Sequence, residues 1–220
     1  MHNSHCTKNV IIFGATGMVG TLATQEIIKN NVNLIIHGKT KKKLEILSDS
    51  ISQKTHKPTL IELDLLNKNY LKRLNLIIKR RFKQIDFFIN AVGFIDKICP
   101  LMDLGHDEWD KLIEINLSSN WRLLKELQPL IEKSVKPKIV FFDDAKISRG
   151  SPYYNAYAIS KSALKTMINI YSKEKEKFKL DIKLITLPNS HSGVYKKIYS
   201  EQQNLQKIKK KIEQSIKKIF

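Results

Sequence analysis

The chain has 220 residues, room for one domain with a full core, and its 42% hydrophobic content is that of a globular protein. Its longest apolar runs are too short to cross a bilayer, and two cysteines, Cys6 and Cys99, are too few for a disulfide framework. The net charge of +18 attracts anions, but the basic residues lack interleaved aromatics for base stacking, so neither nucleic acid nor a membrane surface is the expected main partner.

Residues 1–8 show no basic segment followed by an apolar core and read as an irregular tail. With so few cysteines, a reduced, cytoplasmic setting is the expectation. His2, His5 and Cys6 belong to metal-ligand types but read as part of that tail, and no metal is expected. Residues 9–220 read as one domain, with no repeat and no linker.

Strand and helix patterns alternate from there on. The β-branched run Asn9–Phe13 predicts a buried strand. Gly14-Ala15-Thr16-Gly17-Met18-Val19-Gly20 follows, then a helix over Met18–Lys29. Glycines at that spacing allow a sharp turn and close approach of a pyrophosphate, and the helix start offers free N–H groups to an anion. Strand, turn and helix together read as the opening unit of a dinucleotide site.

Val32–His37 reads as a strand and Lys41–Gln53 as a helix. An NAD site usually places an acid after that second strand to hold the ribose hydroxyls. The chain has His37-Gly38-Lys39-Thr40-Lys41 there instead, cations that suit a 2′-phosphate. NADP is therefore expected over NAD, with Lys39 as its leading contact and NAD as the alternative.

Thr59–Leu63 is the third predicted strand and Asn67–Arg81 the next helix. Asp64 between them can accept from an adenine amino group or cap the helix. Gln84–Ala91 reads as a strand ending in Asn90-Ala91-Val92-Gly93, small enough to let a flat nucleotide approach the backbone. A loop over Gly93–Gly105 leads to helices over His106–Ile115 and Ser118–Lys133, with Asn116 where the helix is expected to break. Lys138–Phe142 is the fifth strand, Tyr154–Lys177 a long helix, Asp181–Leu187 the sixth strand and Glu201–Ile219 a basic amphipathic helix expected to pack on its own domain. The alternation implies an α/β fold, a doubly wound, mostly parallel sheet with helices on both faces.

On the long helix, Tyr157 and Lys161 share a face. An ammonium beside a phenol favours the phenolate and lowers its pKa from about 10, which would make Tyr157 a general acid/base. Tyr171 and Lys175 repeat the spacing about 21 Å further along, so both pairs cannot serve one nicotinamide. Tyr157 has the better setting, after the fifth strand and among small residues.

The order of glycine turn, Asp64, Asn90-Ala91-Val92-Gly93, Asn116, Tyr157 and Lys161 resembles the short-chain dehydrogenase/reductase family over about Val10 to Pro188. The resemblance implies a three-layer Rossmann-type sheet of about seven strands and reversible hydride transfer between a nicotinamide and a small carbonyl or alcohol. It implies Tyr157 as proton donor, Lys161 on the ribose hydroxyls, Asn116 anchoring a relay water and Pro188 beside the nicotinamide. Gly14, Thr16, Gly17, Met18, Val19, Gly20, Lys39, Asp64, Leu65, Asn90, Ala91 and Gly93 would line the rest of the cofactor site. A homodimer or homotetramer through the two long helices is implied as well.

The sequence departs from the family at three points. Met18 stands where the commonest branch has its second glycine, and Asn189 follows Pro188 where glycine is usual. The third departure is the active-site serine, whose position falls on Asp144, beside Asp143. A serine donates to a developing alkoxide; an ionised aspartate only accepts. Two like charges a few ångströms apart cost about 4 kcal/mol at an effective dielectric near 20. Asp144 is then protonated, or it binds a cationic or hydroxyl-bearing substrate, or Ser148 or Ser151 supplies the hydroxyl from the loop. The alternative function is a dinucleotide-binding sensor or scaffold of weak or no activity.

Overall fold

The computed structural model describes residues 7–52, 57–144, 150–188 and 201–219. Six strands form one parallel sheet: β1 (Lys8–Phe13), β2 (Val32–Gly38), β3 (Thr59–Glu62), β4 (Phe87–Asn90), β5 (Lys138–Asp144) and β6 (Asp181–Leu187). Their order is β3-β2-β1-β4-β5-β6, so the winding reverses between β1 and β4. The resemblance implies about seven strands; the described residues form six. The helices are α1 (Met18–Ile27), α2 (Lys41–Ile51), α3 (Lys68–Arg81), α4 (His106–Ile113), α5 (Ser119–Ile131), α6 (Asn155–Glu174) and α7 (Glu201–Lys217).

Strand alternation sorts the apolar side chains into two cores. Val10, Ile12, Ile36, Val140 and Phe142 face α1, α2 and α7; Ile11, Phe13, Ile35, Phe88 and Phe141 face α3, α5 and α6. Ile208, Ile212, Ile216 and Ile219 are all buried, so the apolar stripe of α7 packs on its own sheet and on α1. Lys29 of the α1 turn reaches Glu213 of α7 at 3.8 Å, and the Lys138 ammonium donates to the Ile219 carbonyl.

Several boundaries differ from the sequence expectation for local reasons. β4 begins at Phe87 rather than Gln84, because the Asp86 carboxylate accepts from the Asn9 amide, Gln84 and Ser134 and ties off the strand start. The helix does not break at Asn116. It continues through a π turn over Glu114–Ser118 that joins α4 to α5. β5 runs two residues beyond Phe142, since Asp143 and Asp144 pair in register with Thr186 and Leu187 of β6. No helix among the described residues is long and apolar enough to cross a membrane.

Candidate active site

Ligands of open parallel sheets bind beyond the carboxyl ends of the strands where the winding reverses, here β1 and β4. The chain leaves β1 at Gly14, whose φ of +70° is left-handed and whose absent Cβ would stand 2.9 Å from the Ala91 carbonyl carbon. A Cβ on Gly20 would lie 2.1 Å from the Gly14 carbonyl oxygen, so that position seats α1 directly on the turn. Gly17 is different. It is exposed at the N-cap of α1 with no side-chain cap, leaving helix-start N–H groups for an anion. Bare glycine backbone at an uncapped helix start fits a pyrophosphate.

The turn has a support that sequence reasoning missed. The Gly14 N–H donates to Nδ1 of His37 at 3.2 Å, and His37 Nε2 lies 3.0 Å from the Leu63 carbonyl. Accepting at Nδ1 leaves the proton on Nε2, so the ring is neutral and bridges β1 to the end of β3. Burial lowers its pKa to about 4, against the pull of the Leu63 carbonyl and Asp64. The signal was the unusual imidazole in a buried strand end where the family position calls for an acid.

Lys39 and Asp64, expected as separate nucleotide contacts, pair with each other at 2.9 Å. Asp64 does not cap α3; that role falls to Asn67, whose side chain accepts from the Asn69 amide. Asp64 instead accepts from the Leu66 amide. Burial pushes its carboxyl up, but the Lys39 ammonium and that amide outweigh burial and hold it below its usual value. Leu65 spends its side chain in the core.

Between the turn and α6 lies one crevice. Gly17, Met18 and Val19 line one side, Ala91 and Gly93 with Val92, Phe94 and Ile95 another, and Phe142, Asp143, Tyr157, Lys161 and Leu187 the rest. Gly14, Gly20 and Asn90 stand behind this wall; Thr16 is half-buried beside Gly38, and Pro188 is half-buried just past β6. Ser151 is half-buried before α6 and does not line the crevice; Ser148, Asn189 and Cys6 lie outside the described residues.

Asparagines hold the crevice wall. Asn116 is fully buried and clamps the backbone of Phe94, accepting from its N–H at 2.7 Å and donating to its carbonyl at 2.8 Å. The π turn rotates Asn116 into this position. Asn120 donates to the Asn116 carbonyl at 2.7 Å and accepts from Asn90 at 2.6 Å, and Asn90 accepts from the Val92 N–H at 2.9 Å. Asn120 escaped the sequence reading although it sits one turn from Asn116. At the start of α6, Asn155 is left-handed with φ of 37° and donates to the Lys97 carbonyl, fixing the entry of Tyr157 against the opposite wall.

Tyr157 and Lys161 do converge. The ammonium stands 5.8 Å from the phenol ring centre and 3.4 Å from the Phe142 carbonyl, and both residues are buried. The expected lowering of the phenol pKa is not found. Burial raises it, and Asp144, Asp143 and Tyr154 raise it further. Burial also lowers the Lys161 ammonium, with Asp143 and Asp144 acting to raise it. The two aspartates are buried, Asp143 4% and Asp144 1% exposed. The second pair is structural, since Lys175 binds Glu132 at 2.7 Å and burial pushes the Tyr171 phenol up to about 12.

The family described as enoyl-(acyl carrier protein) reductase matches residues 14–214. An uncharacterized oxidoreductase of Escherichia coli K12, YciK, is 24% identical over 168 residues, 75% of this chain and 67% of that protein. A D-beta-hydroxybutyrate dehydrogenase of Rhizobium meliloti is 23% identical over 166 residues, 72% of this chain and 62% of that one. Among solved structures, a short chain dehydrogenase of Escherichia coli CFT073 complexed with NADPH superposes with a TM-score of 0.78 at 23% identity, covering 82% of this chain and 76% of that one. That likeness is one of fold. The chain thus spans roughly two thirds of the length of these curated relatives.

Proposed function

Since the chain belongs to the short-chain dehydrogenase/reductase family, we propose that it is an NADPH-dependent oxidoreductase acting on a small molecule. One observation carries the reading: the uncapped glycine turn, the small end of β4 and the Tyr157–Lys161 pair, far apart in sequence, border the same crevice at the winding reversal. Named oxidoreductases among the relatives, and the NADPH and NADP complexes of similar folds, support it over a sensor without turnover.

The nicotinamide supplies a hydride when bound. The residues of this chain supply the rest. The N–H groups opening α1 would hold the pyrophosphate, and Lys39, freed from Asp64, would meet the 2′-phosphate. The exposed pair it leaves is worth at most about 1 kcal/mol. Lys161 holds the ribose hydroxyls, and Tyr157 delivers or takes the proton at the reacting atom. Asn116 would act through its backbone, because its side chain is spent on clamping Phe94. Ala91, Gly93 and Leu187 line the crevice and would wall the ring, with Pro188 next to Leu187 in the chain. Asp144 takes the place of the family's serine. The setting is cytoplasmic and the state a homo-oligomer through α5 and α6.

The test is NADPH oxidation over aldehydes, ketones and imines. Turnover that falls about a hundredfold or more in Tyr157→Phe, with NADPH binding kept, supports the reading. NADPH binding without turnover on any substrate overturns it.

A further inference from the structure

Resting on the reading of the crevice as an NADPH site, we infer that His37 is a positioning residue for the cofactor: it holds the glycine turn in its binding shape before the nucleotide arrives. His37 lies near the end of β2, 3% exposed, with its ring tilted against Phe13 at 5.0 Å between centres. It holds two consecutive amides of the turn. Its backbone carbonyl accepts from the Ala15 N–H at 2.9 Å, and its Nδ1 accepts from the Gly14 N–H at 3.2 Å.

Glycine at a positive φ has the widest freedom to rotate, so a turn built on Gly14 needs something to fix it. The imidazole does so from one side. From the other, the Gly14 carbonyl accepts from the Gly17 N–H at 3.1 Å, and Gly20 seats α1 against the same oxygen. A turn fixed in advance spends none of the cofactor's binding energy on ordering itself. The ring also reaches the far end of the nucleotide site. Its Nε2 meets the Leu63 carbonyl, the Leu63 N–H returns to the Gly38 carbonyl at 3.1 Å, and the neighbouring residues Asp64 and Lys39 form the ion pair at the expected 2′-phosphate position. An apolar side chain in place of His37 leaves the Gly14 N–H without its acceptor and frees the turn. The pyrophosphate is common to both pyridine nucleotides, so the loss falls on both alike. Lys39, by contrast, acts only where a 2′-phosphate is present.

Calorimetry measures NADPH and NADH on the wild type, His37→Leu and His37→Asn. His37→Leu is expected to weaken both nucleotides by the same factor, about tenfold. His37→Asn, whose Oδ1 stands where Nδ1 does and accepts from Gly14, is expected to recover most of that loss. Nitrogen NMR on the cofactor-free wild type at pH 7 gives an arm without variants. It is expected to find Nδ1 of His37 unprotonated, the proton on Nε2, and a Gly14 amide that exchanges slowly with solvent. Unchanged affinity in His37→Leu, a loss confined to NADPH, no recovery in His37→Asn, a protonated Nδ1 or a freely exchanging Gly14 amide overturns the assignment to His37 and leaves the NADPH reading standing. Should His37→Leu not fold, the wild-type spectrum and His37→Asn decide. A wild type that binds neither nucleotide overturns both.

Discussion

Acidification tests the His37 bridge. A neutral imidazole with its pKa lowered to about 4 binds a proton far less readily in the folded chain than in the unfolded one, where the value is 6.5. The unfolded state therefore takes up the proton first, and stability present above pH 6.5 drains away as pH falls towards 4. With those two values, the loss is about 2 kcal/mol by pH 5 and about 3 kcal/mol by pH 4. Asp64, whose pKa is lowered, contributes in a different window: its share is intact above the usual carboxylate value of about 4 and goes only below it. The interval from pH 7 to 5 thus isolates the histidine. Urea denaturation at half-unit steps measures it, with His37→Gln as the control that cannot titrate. A wild-type stability that is flat from pH 7 to 5, or a slope that His37→Gln shares, refutes the neutral bridge.

Three further outcomes are expected. Lys39→Ala weakens NADPH about tenfold, the worth of one charge-assisted contact less the Asp64 pair, and leaves NADH nearly unchanged; tighter NADH than NADPH binding in the wild type ends the NADP assignment. Gly20→Ala drives a methyl into the Gly14 carbonyl, costing about 1–3 kcal/mol in thermal unfolding and the cofactor affinity with it, and an unshifted Tm contradicts the packing. Asp144→Ser restores a donor and removes a charge, so kcat/KM on carbonyls rises about tenfold or more; a large fall there would give the acid a role in carbonyl chemistry instead.

Periodicity made the architecture readable, because alternating Val, Ile and Phe mark strands buried on both faces whatever their partners. It failed where partners decide. Asp143 and Asp144 have the composition of a turn, and only pairing with Thr186 and Leu187 keeps them in the sheet. Asn116 looked like a helix break because a π turn keeps the helix going without a local mark, its cause being the clamp on Phe94, twenty-two residues earlier. The tyrosine–lysine spacing disclosed that the two side chains meet but not the direction of their effect. That direction comes from burial and from carboxylates thirteen and fourteen residues upstream, neither of which a helical repeat encodes. His37 stood out only as an imidazole where an acid is usual; its bridging role depends on Gly14 and Leu63, which follow two other strands.

The packing of α7 over α1 bears on how the protein is made. Residues 18–27 are synthesised well before residues 208–219, whose isoleucines cover them. Until α7 is made, the side of α1 that it covers stays open, a surface on which chaperones or neighbouring nascent chains can settle. A chain that lacks α7 is accordingly expected to present α1 without this cover.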